Sequence, residues 1–361
     1  MSPQTEQTEQ SKHTARAGRT GKAEYEPARR RRSLRRALGR LAAAPVALLL
    51  LATGCGSGSS GSGQTASNGL EKSTVTVAAT PLVDSAALYI AQERGYFKDE
   101  GLRVQVRPVQ QSVQAVPALA NGQVDVVAGG NYVTLLQAHD RGALKLRILA
   151  DGVALAPHSM DVVVMPDSPI RTAKDLEGRK VAENVLHSIQ SLRLGAILKD
   201  EGHDAKAVEY RQVPFPQMAA ALEKGRVDAA DITEPFLTDA RRRLGARVVV
   251  DGASGPADGL PLSGYGTTQR FVDENPRTAA AFQRAVRRGQ RDAAQNRDNV
   301  EEVLPGYSKL DVRTARAIAL PRYARSDNPE RIGELIALMV DGGLLKKRLD
   351  AEKLLFRAGS P

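Results

Sequence analysis

The chain has 361 residues, of which 42% are hydrophobic and 25% charged, so it is long enough to bury a core and lacks the composition of a disordered polymer. Its formal charge of +10 is concentrated at the N-terminus: residues 1–54 hold eleven Lys or Arg and four Glu, which leaves +3 for the rest. This distribution excludes the large basic surface of a nucleic-acid-binding domain, and nucleic acid is not an expected partner.

Residues 1–54 have the three parts of a signal peptide with a basic N-terminal extension. A basic stretch from Arg29 to Arg40 is followed by twelve mostly apolar residues from Leu41 to Ala52 and then by Thr53-Gly54-Cys55. Twelve residues are too few to cross about 30 Å of hydrocarbon as a helix. Because the pair Arg35-Arg36 also suits a twin-arginine export motif, the export route stays open.

The single cysteine lies where an exported lipoprotein would be acylated. Leu51 to Cys55 resembles the bacterial lipobox, which implies lipidation of Cys55 and anchoring to the outer face of the cell membrane. A chance cysteine beside a signal peptide is the alternative. Residues 55–69 are almost all Gly, Ser, Thr, Asn, Gln and Ala, a composition that predicts a flexible tether.

From Thr74 onward short β-branched runs alternate with helical stretches, which is typical of an α/β fold with a mostly parallel sheet. Val75 to Ala79 is predicted as a strand and Ser85 to Arg94 as a helix. After Asn275 the chain is predicted to be helical and to return to the first lobe. Its apolar stripe is formed by Ile332, Leu335, Ile336 and Met339.

An internal repeat indicates two similar halves. Lys98-Asp99-Glu100-Gly101 recurs as Lys199-Asp200-Glu201-Gly202, and the segment Ala118 to Asp125 recurs as Ala221 to Asp228. The two pieces keep their order at nearly one offset, which predicts two lobes of the same architecture. Ligands of such sheets bind beyond the carboxyl ends of the strands, so we expect a cleft between the lobes.

Residues 80–101, with Ala91-Gln92-Glu93-Arg94-Gly95-Tyr96-Phe97 as the most distinctive segment, resemble the opening of ABC-transporter substrate-binding proteins of the nitrate, sulfonate and taurine type. The resemblance implies the two-lobed type II periplasmic-binding fold, an ABC permease with its ATPase as partner, and a small-molecule ligand. It places the first lobe at 70–162 and 265–361 and the second at 163–264. The crossings between lobes are expected near Asp161 to Asp167 and Ser263 to Gln269.

The candidate ligand-binding residues are those expected where a strand gives way to a helix. In the first lobe and at its return they are Leu82, Asp84, Ser85, Gln111, Ser112, Asn131, Tyr132 and Tyr265. In the second lobe they are Glu183, Asn184, His187, Ser188, Gln217, Asp231, Thr233 and Glu234.

Each candidate also has an ordinary structural explanation. The Ser, Thr and Asn side chains could be helix caps, the carboxylates could complement helix dipoles, and the aromatic rings could belong to the core. Asp125 and Asp228 are repeated, but each follows a glycine turn at the strand end opposite the cleft, so a structural role is favoured. The sequence predicts no metal site, no cofactor and no catalytic residue.

Three functions remain open from the sequence. The first is a monomeric solute-binding lipoprotein that is not an enzyme and serves an ABC importer. The second is a pyrimidine-precursor enzyme on the same fold, and the third is a surface lipoprotein whose cleft has lost its ligand. The segment Ala182 to Ser188 departs from the Gly-Ser-rich anion loop that is common in sulfonate receptors. The expected cleft loops contain Asp84, Glu183, Asp231 and Glu234 but no Lys or Arg, which predicts a neutral ligand or one with a cationic nitrogen, such as an amine or a pyrimidine.

Overall fold

The computed structural model describes residues 69–308 and 310–359. The signal peptide predicted at 1–54, Cys55 and nearly all of the tether lie outside the described residues. Within the described residues, no helix is both long and apolar enough to span a bilayer.

The described chain forms two β-sheets flanked by helices. The first sheet has six strands in the order β11-β4-β10-β3-β1-β2, and the second has five in the order β7-β6-β8-β5-β9. The strands are β1 Thr74–Ala79, β2 Arg103–Pro108, β3 Val126–Asn131, β4 Leu146–Ala154, β5 Met160–Val164, β6 Lys180–Glu183, β7 Glu209–Gln212, β8 Ala229–Thr233, β9 Arg247–Asp251, β10 Pro261–Thr268 and β11 Arg322–Tyr323.

Helices connect the parallel strands and cover both sheets. They are α1 Ala86–Glu93, α2 Tyr96–Asp99, α3 Ser112–Ala120, α4 Tyr132–Asp140, α5 Ile189–Asp200, α6 Phe215–Glu223, α7 Phe236–Leu244, α8 Gln269–Glu274, α9 Pro276–Gln295, α10 Arg297–Ser308, α11 Val312–Ala317, α12 Pro329–Asp341 and α13 Ala351–Leu354. All five residues of β5 are buried, as expected for a strand covered on both faces.

The two sheets share one topology, as the sequence repeat predicts. In the first sheet β1 pairs in parallel with β2 and β3, and in the second β6 pairs in parallel with β7 and β8. An antiparallel strand follows in each sheet, β10 beside β3 and β5 beside β8. The repeated aspartates have matching roles, since Asp125 accepts from the Thr76 N–H and Asp228 from the Lys180 N–H, both at 2.8 Å.

The chain passes between the sheets earlier than the sequence suggested. It leaves the first sheet after Ala154 and enters the second at Met160, then leaves after Asp251 and returns at Pro261. The expected crossing at Asp161 to Asp167 therefore falls largely within β5, and the one at Ser263 to Gln269 largely within β10. β5 and β10 each begin directly after a crossing and are buried along their whole length, and their sequence does not mark this position.

The C-terminal helices pack mainly on the first sheet. α9 lies against α1 and β4, and Gln283 Nε2 donates to the Leu149 carbonyl at 2.6 Å. The predicted apolar stripe of α12 is fully buried, but this helix also contacts α5 of the second sheet. The tail therefore touches both halves of the molecule.

Candidate functional site

A narrow cavity lies between the carboxyl ends of the parallel strands of the two sheets. Eight predicted residues line it: Leu82, Asp84, Gln111, Ser112 and Asn131 from the first half, and Asn184, Ser188 and Thr233 from the second. They follow or end β1, β2, β3, β6 and β8, because parallel strands bring their carboxyl ends to one edge of a sheet. The space that the centres of water molecules can occupy in this cavity has a volume of about 50 Å³.

Direct hydrogen bonds close the cavity between the two halves. Gln111 Nε2 donates to the Asn184 carbonyl at 2.7 Å and to Asn184 Oδ1 at 3.1 Å. On α4, Gln137 Nε2 donates to the His187 carbonyl at 2.8 Å. These contacts bring the halves together on either side of the cavity, so the described arrangement is a closed one.

Among the described residues that line this cavity, Asp84 alone is charged. Its carboxylate is 6% exposed and accepts a hydrogen bond from Ser263 Oγ at 2.8 Å. Burial raises the pKa of Asp84 to about 6, while the Ser263 hydrogen bond opposes that shift. The cavity therefore presents an acidic group that ionises only near neutral pH.

Two buried hydroxyls beside Asp84 have no hydrogen-bond partner, Thr80 Oγ1 and Ser85 Oγ. Thr80 lines the cavity, whereas Ser85 lies behind it. A Cβ on Gly129 would come within 2.8 Å of Ser85 Oγ, and its backbone has φ +60°, so only glycine suits this position. The unpaired Thr80 hydroxyl is a free hydrogen-bonding group at the cavity wall.

Some residues of the cavity wall also cap helices, which is the structural role that the sequence analysis gave as an alternative for Ser, Thr and Asn. Asn131 Oδ1 accepts from the Thr134 N–H at 3.4 Å, and Ser188 Oγ accepts from the Gln190 N–H at 3.4 Å. Ser112 Oγ accepts from the Asn131 N–H at 3.1 Å, and Thr233 Oγ1 donates to the Ser159 carbonyl at 3.1 Å. Capping and cavity lining therefore coincide in Asn131 and Ser188.

Four buried candidates lie outside the lining because their polar groups form hydrogen bonds or ion pairs with other groups of the protein. Tyr132 Oη donates to Asp151 at 2.5 Å. Glu183 accepts from the His187 N–H at 2.9 Å, and Glu234 accepts from the Thr238 N–H at 3.0 Å. Asp231 pairs with the buried Arg193.

The other candidates outside the lining differ in exposure. His187 and Gln217 are exposed, and Ser85 is buried. Tyr265 is fully buried and lies edge-on to Phe282, with ring centroids 6.4 Å apart. Tyr265 is thus part of the core under the first sheet.

The sequence missed the apolar part of the lining. Met160 and Leu262 belong to β5 and β10, the strands that begin after each crossing, and Phe215 begins α6. A crossing placed a few residues earlier would have found the first two. Gln190 was also missed; its Oε1 accepts from the Asn184 N–H at 2.8 Å and positions that loop.

Comparison with known proteins gives one family match. A family model described as NMT1/THI5 like matches residues 83–300. A Bacillus subtilis (strain 168) protein named for aliphatic sulfonate binding is 25% identical over 248 residues, which are 67% of this chain and 71% of that protein.

Solved structures share the fold. The alkanesulfonate-binding protein SsuA from Xanthomonas axonopodis pv. citri, bound to MOPS, aligns with a TM-score of 0.68 and 18% identity over 80% of this chain and 99% of that one. The periplasmic nitrate-binding protein NrtA from Synechocystis PCC 6803 aligns with a TM-score of 0.67 and 17% identity over 79% and 86%. At these identities the likeness shows the fold alone.

Proposed function

The chain belongs to the NMT1/THI5-like family, and on that premise we propose that it is an exported solute-binding lipoprotein that delivers a small organic molecule to an ABC importer. The observation that carries the proposal is the closed cavity between two sheets of the same topology, with Asp84 and several hydrogen-bonding side chains in its wall. The similarity to proteins named for sulfonate and nitrate binding supports the class of function. The two lobes would then close around the ligand, with boundaries at the observed crossings 155–159 and 252–260 rather than at the 162/163 and 264/265 boundaries expected from the sequence.

The ligand is neutral or carries a cationic nitrogen, as in an amine, an amidine or an aminopyrimidine. The cavity lining contains Asp84 and no Lys or Arg, and a desolvated anion beside a carboxylate would be strongly disfavoured. Glu183, Asp231 and Glu234 do not support this argument directly, because they are used inside the second half.

Helix N-termini could bind an anion without basic side chains. At this cavity, however, first-turn N–H groups already have protein acceptors. The Thr134, Gln190 and Phe215 N–H groups donate to Asn131, Ser188 and Asn184 side chains, all at 3.4 Å. Fewer donors are therefore free for a sulfonate or nitrate.

Calorimetric titration with taurine, alkanesulfonates and nitrate beside amines and aminopyrimidines tests the ligand class. Asp84→Asn should weaken binding of the nitrogen ligands about 10- to 100-fold, because it removes a charge-assisted hydrogen bond. Glu234→Gln is the control, a buried carboxylate outside the lining. Micromolar binding of a sulfonate that Asp84→Asn leaves unchanged would contradict the proposed ligand charge.

Export and lipidation rest on the sequence of residues 1–69. Cys55 would carry a diacylglyceryl group and an N-acyl chain, and two chains give durable attachment to a membrane. Cys55→Ser should release the protein from the membrane fraction, and mass spectrometry of the wild-type N-terminus should show the acyl mass. A wild-type protein without acyl mass that fractionates as the variant does would refute the anchor.

The enzyme alternative has less support. Among the described residues that line the cavity there is no cysteine, lysine or histidine, so the Asp84 carboxylate is the one group there that could act as a base. A surface lipoprotein without a ligand is separated from a receptor by a ligand screen. A ligand at 100 times its dissociation constant would raise the free energy of unfolding by about 2.7 kcal/mol, and a protein without a working cleft would show no such shift.

A further inference from the structure

Three metal-ligating side chains meet where the two crossings join the second sheet. His158 lies in the first crossing, Asp161 is in β5, and Asp251 ends β9 directly before the second crossing. One ligand atom from each lies within 4.8 Å of the others. This cluster is outside the lining of the cavity described above.

We propose that His158, Asp161 and Asp251 bind a divalent transition-metal ion of the Zn²⁺ class at the hinge between the two halves. One imidazole and two carboxylates are ligands that Zn²⁺ accepts, with a water completing four-fold coordination. The site is independent of the ligand cavity, so it stands or falls apart from the proposed transport function.

The spacing of the first two ligands suits a shared ion. His158 Nδ1 lies 3.1 Å from Asp161 Oδ2. Two ligands each about 2.0–2.1 Å from one Zn²⁺ have this separation when they subtend an angle of about 95–100°. With its proton on Nε2, neutral imidazole offers the Nδ1 lone pair toward the ion.

Among the described residues, Asp161 forms no ion pair with a Lys or Arg side chain. Its side chain is 0% exposed, and besides His158 it accepts a hydrogen bond from the Gly252 N–H, which donates to Oδ1 at 3.3 Å. Oδ2 meets only the imidazole. A buried carboxylate of this kind is normally paired with a cation or bound to a metal.

Other buried acidic side chains of the second half add to the negative charge of Asp161. Glu183, Asp231 and Glu234 are buried in the same half, and Arg193 is the one buried Lys or Arg among the described residues. Arg193 is already paired with Asp231. Asp161 raises the pKa of both Asp231 and Glu234 through charge repulsion, although burial is the larger cause of each shift. A divalent ion at Asp161 would offset this excess.

Binding here would act on the hinge. The His158 N–H donates to Asp251 Oδ1 at 3.1 Å, and the same oxygen accepts from the Ala253 N–H at 3.0 Å. The cluster thus already links the two crossings through one carboxylate. Asp161 and Asp251 are paired across β5 and β9 of the second sheet, so an ion held by all three side chains would tie the first crossing, through His158, to the point where the second crossing begins.

The test is titration of Zn²⁺ and Co²⁺ into the exported chain, purified without a histidine tag and treated with a chelator. Calorimetry should show one ion per chain, and Co²⁺ should give the visible absorption of a four-coordinate site. His158→Gly removes the imidazole at a position where φ is +60°, which glycine adopts freely. Loss of this ligand should weaken binding at least about 100-fold, since even loss of a group that only orients a ligand costs 10- to 100-fold.

Asp161→Asn is the second variant, because it keeps the shape and the acceptor for the Gly252 N–H. His203→Ala is the matched control: His203 lies 3.8 Å from Glu201 on the surface and outside the cluster. The proposal predicts loss of the ion in both cluster variants, with unchanged circular dichroism, and full binding in the control. Absence of a stoichiometric site in the wild type, or equal binding by His158→Gly, would overturn it.

Discussion

Asp84 shows how a closed cavity changes the behaviour of one residue. In water its carboxylate would ionise at about pH 4, but in the protein it is buried and accepts a hydrogen bond from the Ser263 hydroxyl. Burial raises its pKa from the ordinary 3.8 to about 6. Without a ligand, ionisation of Asp84 thus opposes the closed fold, and a cationic group on the ligand would reverse this effect.

Asp84→Asn should stabilise the ligand-free protein at neutral pH. The folded state holds the Asp84 proton more tightly than the unfolded chain, so its stabilising effect is complete below pH 3.8 and is lost as the pH rises through about 6. The asparagine variant, neutral throughout, should gain up to about 3 kcal/mol in unfolding free energy above pH 7 and nothing near pH 4. Urea unfolding at several pH values checks this. A gain that is the same at pH 4 and pH 7.5 would contradict the burial of a charge at Asp84.

Half of the candidate site residues line the cavity. They could be predicted because the sequence pattern shows which residues stand at the end of a strand. Asn131 and Ser188 stand where a strand gives way to a helix, and the pattern of strands and helices shows this directly. Glu183 and Glu234 stand at equivalent positions, but their carboxylates turn back to accept backbone N–H groups of the next segment. Side-chain direction depends on such local acceptors, which the sequence pattern does not record.

At the scale of helices and strands the sequence predicts more. The repeat places equivalent strands in both sheets, and Asp125 and Asp228 make the same contact at each strand start. The crossings are harder to locate, since nothing in the sequence of the buried strands β5 and β10 marks them as the strands that follow a crossing. Their antiparallel placement depends on pairing with β8 and β3, which lie far away in the chain.

The cap of α4 separates helix stability from ligand binding. Asn131→Ala should cost about 1 kcal/mol of unfolding free energy through loss of the Thr134 N–H bond. Asn328→Ala is the matched control, because Asn328 caps α12 by accepting from the Arg331 N–H at 3.0 Å, away from the cavity. Both variants should lose similar stability, but only Asn131→Ala should also weaken ligand binding in calorimetry. Unchanged affinity in Asn131→Ala would leave Asn131 as a cap alone.

Two helical glycines should respond in opposite directions to alanine. A Cβ on Gly289 of α9 would lie 2.1 Å from the Ala87 carbonyl oxygen of α1. A Cβ on Gly333 of α12 would have no neighbouring heavy atom of the described residues within 4 Å, beyond its own helix backbone and chain neighbours. Gly289→Ala should therefore force the helices apart and lose about 1–3 kcal/mol of stability. Gly333→Ala should gain about 0.5–1 kcal/mol, because alanine restricts the unfolded chain. Urea midpoints that move in the same direction would refute the close α1–α9 contact.

At the scale of the whole molecule, the described arrangement has the properties of a closed receptor. At Gln111 and Gln137 the halves meet through amide side chains, and elsewhere they share an apolar cluster that includes α12 and α5. Hydrogen bonds of this kind contribute about 0.5–1.5 kcal/mol each, because water replaces them when they break. Breaking these amide contacts therefore costs little, and a ligand that contacts both halves can shift the balance toward closure.

Ligand binding should compact the molecule by rotation about the two crossings, 155–159 and 252–260, without new secondary structure. Small-angle scattering should show a smaller radius of gyration with ligand, while far-ultraviolet circular dichroism stays constant. Gln111→Ala removes both bonds to Asn184 between the halves and should enlarge the ligand-free molecule. Gln212→Ala is the control, since Gln212 reaches the same Asn184 carbonyl at 3.5 Å from within the second half. Two results together would exclude rotation. The first is an unchanged radius of gyration at saturating ligand, and the second is an equal radius of gyration for Gln111→Ala and Gln212→Ala. Breaking a contact between the halves would then have no effect on their separation.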